Sequence, residues 1–461
     1  MTARDTTAIA DLSIAEAARR MRQRELSPID LTSAVLDRIA ATEPAIHAYV
    51  SVESESALAA ARQAEQELRA GRDRGPLHGI PIAVKDIIDV AGLPTRCGSE
   101  SRADTAPASQ DATVVRRLRQ AGAVIVGKTV THEFASGVIS PPARNPWDPA
   151  RIPGGSSGGS GASVAAGSSF AALGSDTAGS IRIPASVNGV VGLKPTYERV
   201  SREGVFPLSW SLDTIGPLAR TVEDAALVYQ AIRNDDGPAW GAFRDDEMAG
   251  VHLGVARSYF CDQLQSDVRA AMEQALATFA GLGAEIVEVA WPQAPLAAAA
   301  GFVICRPEVA AVHEPTLRAA PERLDSVLRA RLEAFSLLPG RDYLRARRAR
   351  AVIRQSIADL YRQHRLTALV TPTTPATATI SGVPTIVYAE GEEPVHAGFT
   401  RCTMPFNTTG QPTLSLPCGF DRDGLPVGLQ LVGRPDEERE VCRLGHAFQR
   451  ATEHHLRRPV L

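Results

Sequence analysis

A lysine and a handful of serines in this chain sit where their neighbours could give them chemistry. Lys85 follows directly on an apolar run in Gly79-Ile-Pro-Ile-Ala-Val-Lys85-Asp86. A lysine at the end of a buried strand is costly as a cation. Desolvation lowers its pKa, and the neutral amine can then serve as a general base. The plainer alternative is a lysine that reaches the surface or pairs with Asp86 or Asp89. Successive side chains alternate along a strand, so Asp86 is expected to point away from Lys85. A second stretch, Pro153-Gly-Gly-Ser156-Ser157-Gly-Gly-Ser160-Gly161, has the composition of a linker. Against that reading, Ala162 to Ala172 continues it with small and apolar residues that look packed. A third, Gly174-Ser-Asp-Thr-Ala-Gly-Ser180-Ile-Arg-Ile-Pro184, places small residues before a serine. Such a run can turn several backbone N–H groups onto one oxygen, which is what an oxyanion hole requires.

Three other motifs look inviting and fail. Gly122-Ala-Val-Ile-Val-Gly127-Lys128-Thr129 has the Walker A pattern, but its central Ala-Val-Ile-Val is a strand and cannot wrap a phosphate. His132-Glu133 begins like a zinc-binding HExxH, yet Ser136 stands where the second histidine belongs. Gly154-Gly-Ser156-Ser-Gly158 has the GxSxG form. A nucleophile elbow needs a strand before it, and Asn145 to Pro153 contains three prolines. The histidines that a Ser-His-Asp triad would need downstream (His313, His364, His396, His446, His454, His455) lie in no catalytic context.

Taken together, the lysine and serine segments resemble the amidase signature family. The signature runs from Gly154 through Pro184, the Lys85 segment matches the family's lysine motif, and Gly192-Leu-Lys-Pro-Thr196, Asp213-Thr-Ile-Gly-Pro217, Phe406-Asn407 and Leu425 to Leu431 match segments downstream. The resemblance implies an α/β fold with a mixed β-sheet core flanked by α-helices on both sides. It implies a Ser–cis-Ser–Lys triad, with Lys85 as base, Ser156 as bridge after a cis Gly155-Ser156 peptide, and Ser180 as nucleophile. Ser157 becomes a neighbour. The oxyanion hole then falls on the N–H groups of Thr177, Ala178, Gly179 and Ser180. The reaction implied is hydrolysis of an amide, anilide, ureido or carbamate C–N bond through an acyl-enzyme, with no metal and no cofactor. Two departures are informative. Many members have Gly where this chain has Ala178, so that position should adopt a conformation open to L-residues. Ile183 stands where members that bind acidic substrates can carry an arginine, which favours a neutral substrate; Arg182 is read as structural.

These residues need elements to hold them. Ser27-Pro28 opens a helix with Leu31, Val35, Leu36 and Ile39 on one face, within a region, 11–70, that reads as helical. Residues 80–84, 123–126, 368–370, 413–416 and 427–432 read as strands, 111–121 as an amphipathic helix, and Asp423-Gly424 as the turn of a hairpin. A basic helix carries Arg341, Arg345, Arg347, Arg348, Arg350 and Arg354 on a solvated face, with Ile353, Ile357, Leu360 and Tyr361 inward. The alternation of helices and buried strands argues α/β. The whole chain, 1–461, is read as one amidase domain. Its catalytic core is placed at about 70–220 and 366–461, with a more variable helical region at about 230–365. The loop 129–144 is expected to line the acyl pocket, with Phe134 and Ala135 as substrate contacts. The 230–365 region is expected to shape the leaving-group side.

Composition sets the outer bounds. The chain has 461 residues, 44% hydrophobic and 22% charged, with a net charge of −3, so no field argues for nucleic acid or an anionic membrane. Its six cysteines form no CxxC pair and read as small core residues. No secretory signal is legible at the N-terminus, and Pro295 to Cys305 is too short an apolar run to span a bilayer. The expected setting is cytoplasmic, with a small-molecule amide-like substrate and a possible homodimer. Two alternatives stand beside this reading. One is an amidotransferase A-type subunit that acts on glutamine with a partner and charged tRNA. The other is a catalytically inactive binding protein.

Overall fold

The computed structural model describes residues 9–461 apart from 236, 242, 244–247 and 390. Thirteen strands are present among them: β1 (Tyr49–Val52), β2 (Pro81–Lys85), β3 (Val124–Thr129), β4 (Ala171–Asp176), β5 (Val191–Lys194), β6 (Thr214–Ala219), β7 (His252–Val255), β8 (Glu285–Glu288), β9 (Ala368–Pro372), β10 (Thr385–Tyr388), β11 (Gly391–Pro394), β12 (Thr413–Phe420) and β13 (Pro426–Val432). Eleven form one sheet in the order β1-β3-β2-β4-β6-β5-β12-β13-β9-β7-β8, and β10 with β11 forms a separate hairpin. The sheet is mixed: β2 runs parallel to β3 and β4, whereas β4–β6, β5–β12 and β12–β13 are antiparallel. Every residue of β2, β3, β4, β5, β6, β9 and β13 is buried, as expected when helices cover both faces of a sheet.

The predicted strands and helices fall close to their places, with three corrections. The region 11–70 is not helical throughout. The helix Pro28–Ile46, capped by the Ser27 side chain, ends at His47 in a left-handed conformation, and β1 then pairs antiparallel with β3. The alternation in Tyr-Val-Ser-Val carried that signal. Gly127 permits the pairing, because a Cβ there would collide with the Ser51 carbonyl. Arg350, expected on the solvated face of its helix, instead turns inward and donates to the carbonyls of Thr408 (2.7 Å) and Ser211 (3.0 Å). Pro295 to Cys305 is the start of a 26-residue helix, Ala294–Ala319, which among the described residues is the one helix long and apolar enough to cross a membrane. It packs as a core helix, however. Its buried Glu308 accepts from the hydroxyls of Ser209 and Ser211, both at 2.6 Å, and of Tyr343 at 2.9 Å. All six cysteines are free and buried.

The would-be Walker A lysine, Lys128, lies inside β3 and is fully enclosed. That rules out a phosphate loop on geometry as well as on sequence.

Candidate active site

The C-terminal ends of the parallel strands β2 and β4 lie side by side and deliver Lys85 and the Ser175-Asp176 pair to one place. Between them enters the glycine-rich segment, whose Gly155-Ser156 peptide is cis. The helix Gly158–Ala165 begins immediately after Ser157. The Ser156 carbonyl is held from the opposite side by His132 N and Ser140 Oγ, both at 3.0 Å.

Lys85 is wholly buried and has no carboxylate partner among the described residues. Its Nζ contacts three hydroxyls, Ser156 at 2.7 Å, Ser175 at 2.9 Å and Ser157 at 3.0 Å. Burial drives its pKa down to about 7, although Asp176 and Asp213 pull the other way. A neutral amine has two N–H donors and one lone pair, so one of the three hydroxyls must donate to the nitrogen. Ser157 is poorly suited to that, because its own proton has an acceptor in the Ser175 carbonyl at 3.2 Å. Ser156 Oγ has no partner other than Lys85 among the described residues. Ser157 is therefore more than a neighbour: it touches the lysine directly, and it ties that region to the loop after β4 by donating its N–H to the Ser180 carbonyl at 3.2 Å.

The loop after β4 is clamped by Asp176. Its carboxylate accepts from Gly179 N (2.8 Å), Arg182 Nε (2.9 Å) and Asn407 Nδ2 (2.7 Å). Burial alone would push this acid up, but Arg182 overcomes it and holds the pKa at about 2. Arg182 reaches on to Gln430 Oε1 at 2.9 Å and to Asn407 Oδ1 at 2.6 Å. These contacts agree with its structural reading and explain the Phe406-Asn407 and Leu425 to Leu431 segments. The positive φ in this loop falls on Gly179 (121°), and Ala178 avoids it, as expected. One expectation changes. The Gly179 N–H is committed to Asp176, so it is not free for an oxyanion, whereas those of Ala178 and Ser180 carry no partner among the described residues. Thr177 gives its hydroxyl to Asp213 at 2.6 Å, and burial raises that acid to about 6.

Ser180 opens onto a cavity of about 420 Å3 that it shares with Ala135, Thr177 and Ala178. No hydrogen bond joins its Oγ to Ser156, a link that often closes only around substrate. Of the two substrate contacts expected, Ala135 lines this cavity and Phe134 does not. The Phe134 ring is buried against Phe206 and His313, with centroids 5.1 and 4.3 Å away. Phe134 and Ala135 both have positive φ (48° and 61°), which turns the aromatic ring into the core and leaves the small residue facing out. The far wall comes from the 230–365 region, through Phe302, Cys305, Arg306 and Val309 of the Ala294–Ala319 helix and Arg331 and Phe335 of the next. Sequence alone gives no role to Ser175, Asp176, Asp213, Arg306 or Arg331, although Asp213 opens one of the matching segments. The first two lie inside the Gly174 to Pro184 segment; the arginines have no local signal. His132 is partly buried and lines a neighbouring cavity of about 740 Å3: its Nδ1 accepts from Ser140 N at 3.2 Å, and burial together with Arg331 holds its pKa near 4.

This arrangement of a buried lysine, serine hydroxyls and a clamped loop that bears Ser180, on a mixed sheet, defines a class. The amidase family profile matches residues 30–442, and the chain belongs to that family. It is thereby a hydrolase that acts on carbon–nitrogen bonds. The chain is 42% identical over 462 residues to an amidase of Pseudomonas putida, covering 98% of each. It is 39% identical over 495 residues to the A-type subunit of the glutamyl-tRNA(Gln) amidotransferase of Roseiflexus castenholzii, again covering 98% of each. A solved structure of a vestigial protein complex, reported as revealing the origins of an s-triazine catabolic enzyme, superposes with a TM-score of 0.89 at 36% identity. That match covers 95% of this chain and 98% of the other.

Proposed function

We propose that Lys85, Ser156 and Ser180 carry out hydrolysis of a small amide-like substrate (amide, anilide, ureido compound or carbamate). Neutral Lys85 accepts the Ser156 proton while Ser156 takes that of Ser180. Ser180 Oγ attacks the carbonyl carbon, and the N–H groups of Thr177, Ala178 and Ser180 receive the oxyanion. The proton returns through Ser156 to the leaving nitrogen, and water then cleaves the acyl-enzyme. The observation that carries this reading is Lys85 itself: buried without a counter-ion, lowered to about 7, and 2.7 Å from Ser156 Oγ. Incubation with a fluorophosphonate probe tests it by mass spectrometry of the intact protein. One adduct, located on Ser180 and absent in Ser180→Ala, is the expected result. A folded protein that forms none would leave only the inactive binding protein.

The reading extends to a chain working as one domain in the cytoplasm, alone or as a homodimer, without nucleic acid or membrane. The amidotransferase relatives favour a second reading, a glutamine-using subunit with a partner chain. Release of ammonia from glutamine only in the presence of a co-purified partner and charged tRNA would select it.

A further inference from the structure

The cavity beside Ser180 has an unusual charge balance. Its lining includes Arg306 and Arg331 and no aspartate or glutamate. Neither arginine makes an ion pair or a hydrogen bond with any described residue. An exposed arginine ordinarily rests in water, and Arg306 is exposed, but it is not loose. Its guanidinium carbon lies 5.5 Å from the Phe302 ring centroid and 5.6 Å from that of Phe335, so two aromatic faces fix its direction. Arg331 is half-buried and stands where this cavity meets a neighbouring one of about 740 Å3. His396 lines both cavities, and burial with Arg331 and Arg306 nearby holds it neutral, with a pKa of about 4. Within its own lining, the nucleophile's cavity therefore has the two arginines as its formal charges at neutral pH, while the carboxylates of Glu133 and Asp325 line the neighbouring cavity beyond Arg331.

We infer that the substrate of this site carries an anionic group, a carboxylate on the acyl side remote from the scissile bond, and that Arg306 and Arg331 receive it. This rests on the hydrolytic reading given above. Two like charges facing one partly enclosed space repel, and a carboxylate between them relieves the repulsion. Guanidinium groups are suited to such a ligand because their N–H forks match its two oxygens. Ser180 and both arginines line one cavity, so an acyl chain attached at Ser180 and long enough to reach them would present its far end to them; this puts the 230–365 region on the acyl side, in place of the leaving-group side expected from the sequence. The isoleucine after Arg182 does not argue against an acid. Ile183 is wholly buried and does not line the cavity, so its side chain does not report the charge there.

The test compares half-anilides of dicarboxylic acids, in a series of increasing chain length, with their methyl esters. For wild type, kcat/KM should favour the free acid over its ester by about tenfold or more at one chain length, with the preference falling as salt is raised. In Arg331→Met and Arg306→Met the ratio of acid to ester should drop by about tenfold, through KM for the acid. Fluorophosphonate labelling of Ser180 is run on the same samples. A labelled wild-type enzyme that cleaves acid and ester equally at every length overturns the anion site and leaves the hydrolase intact. Labelled arginine variants that keep the wild-type ratio overturn it as well. An unlabelled wild-type enzyme overturns both readings together.

Discussion

Asp86, the residue that follows Lys85, gives its carboxylate to Lys128: the Nζ lies 2.8 Å from Asp86 Oδ1, and both side chains are buried. The neighbouring acid that could have kept Lys85 charged is thus engaged by another lysine on the adjacent strand. Removal of that option leaves Lys85 among hydroxyls, where the uncharged amine is favoured.

The first expectation concerns pH. A base works only when deprotonated, so kcat/KM should rise with pH through one ionisation at about 7 and level off above it. Lys85→Arg cannot lose its proton and should be nearly as inactive as Lys85→Ala, about 1,000-fold or more below wild type. The measurement is a pH profile of all three, with folding followed by circular dichroism. Substantial activity in folded Lys85→Arg would remove the lysine from its role as base.

The two adjacent serines should separate. Ser156→Ala is expected to lose activity by about 1,000-fold or more, since the relay has no other path. Ser157→Ala should fall only about tenfold, because it withdraws one of the hydroxyls around Lys85 and leaves Ser156 in place. Single-turnover rates on one anilide decide it, and a larger loss in Ser157→Ala would reverse the assignment.

Asp176 and Arg182 form a buried pair at 2.9 Å. Truncation of one partner leaves the other charged and enclosed, so Arg182→Met should cost about 3–5 kcal/mol of stability. Urea denaturation would show this as a lower midpoint with an unchanged slope. A midpoint equal to that of wild type would mean that the clamp on the nucleophile loop is energetically idle.

Gly179 combines a φ of 121° with a position where a Cβ would collide with Thr403 Oγ1. Gly179→Ala should therefore displace the loop and slow fluorophosphonate labelling of Ser180 by about 100-fold. Removal of the Thr403 side chain as well, in Gly179→Ala with Thr403→Gly, should restore little, because the backbone remains strained for an L-residue. Full recovery in the double variant would place the whole effect in the collision.

The proximity of the candidate residues was legible in the sequence where their signals were local. Lys85 stood at the end of an apolar strand, and Ser180 closed a run of small residues. The Walker A lookalike could be dismissed because Ala-Val-Ile-Val is a strand whatever surrounds it. The parts that were not legible depend on residues far apart in the chain. Nothing near Asn407 or Gln430 indicates that both meet Arg182, and nothing near Arg306 or Arg331 indicates that they face one cavity. Phe134 failed for a different reason. Its segment was placed correctly beside the pocket, but two consecutive positive φ values reversed which side chain faces inward. A helical reading of 11–70 overlooked β1 because a four-residue edge strand is short against a long helical background.

The helix Ala294–Ala319 supplies Phe302, Cys305, Arg306 and Val309 to one wall of the cavity, while the lysine and serines come from segments before residue 181. On the proposed reading, bond cleavage and substrate choice are written in different stretches of the polypeptide. Exchanging a few side chains along a single helical stripe would retune which molecules are admitted and leave the reacting groups untouched. A scaffold divided in this way can diversify by drift on one face, and libraries confined to that face are the direct route to altered selectivity.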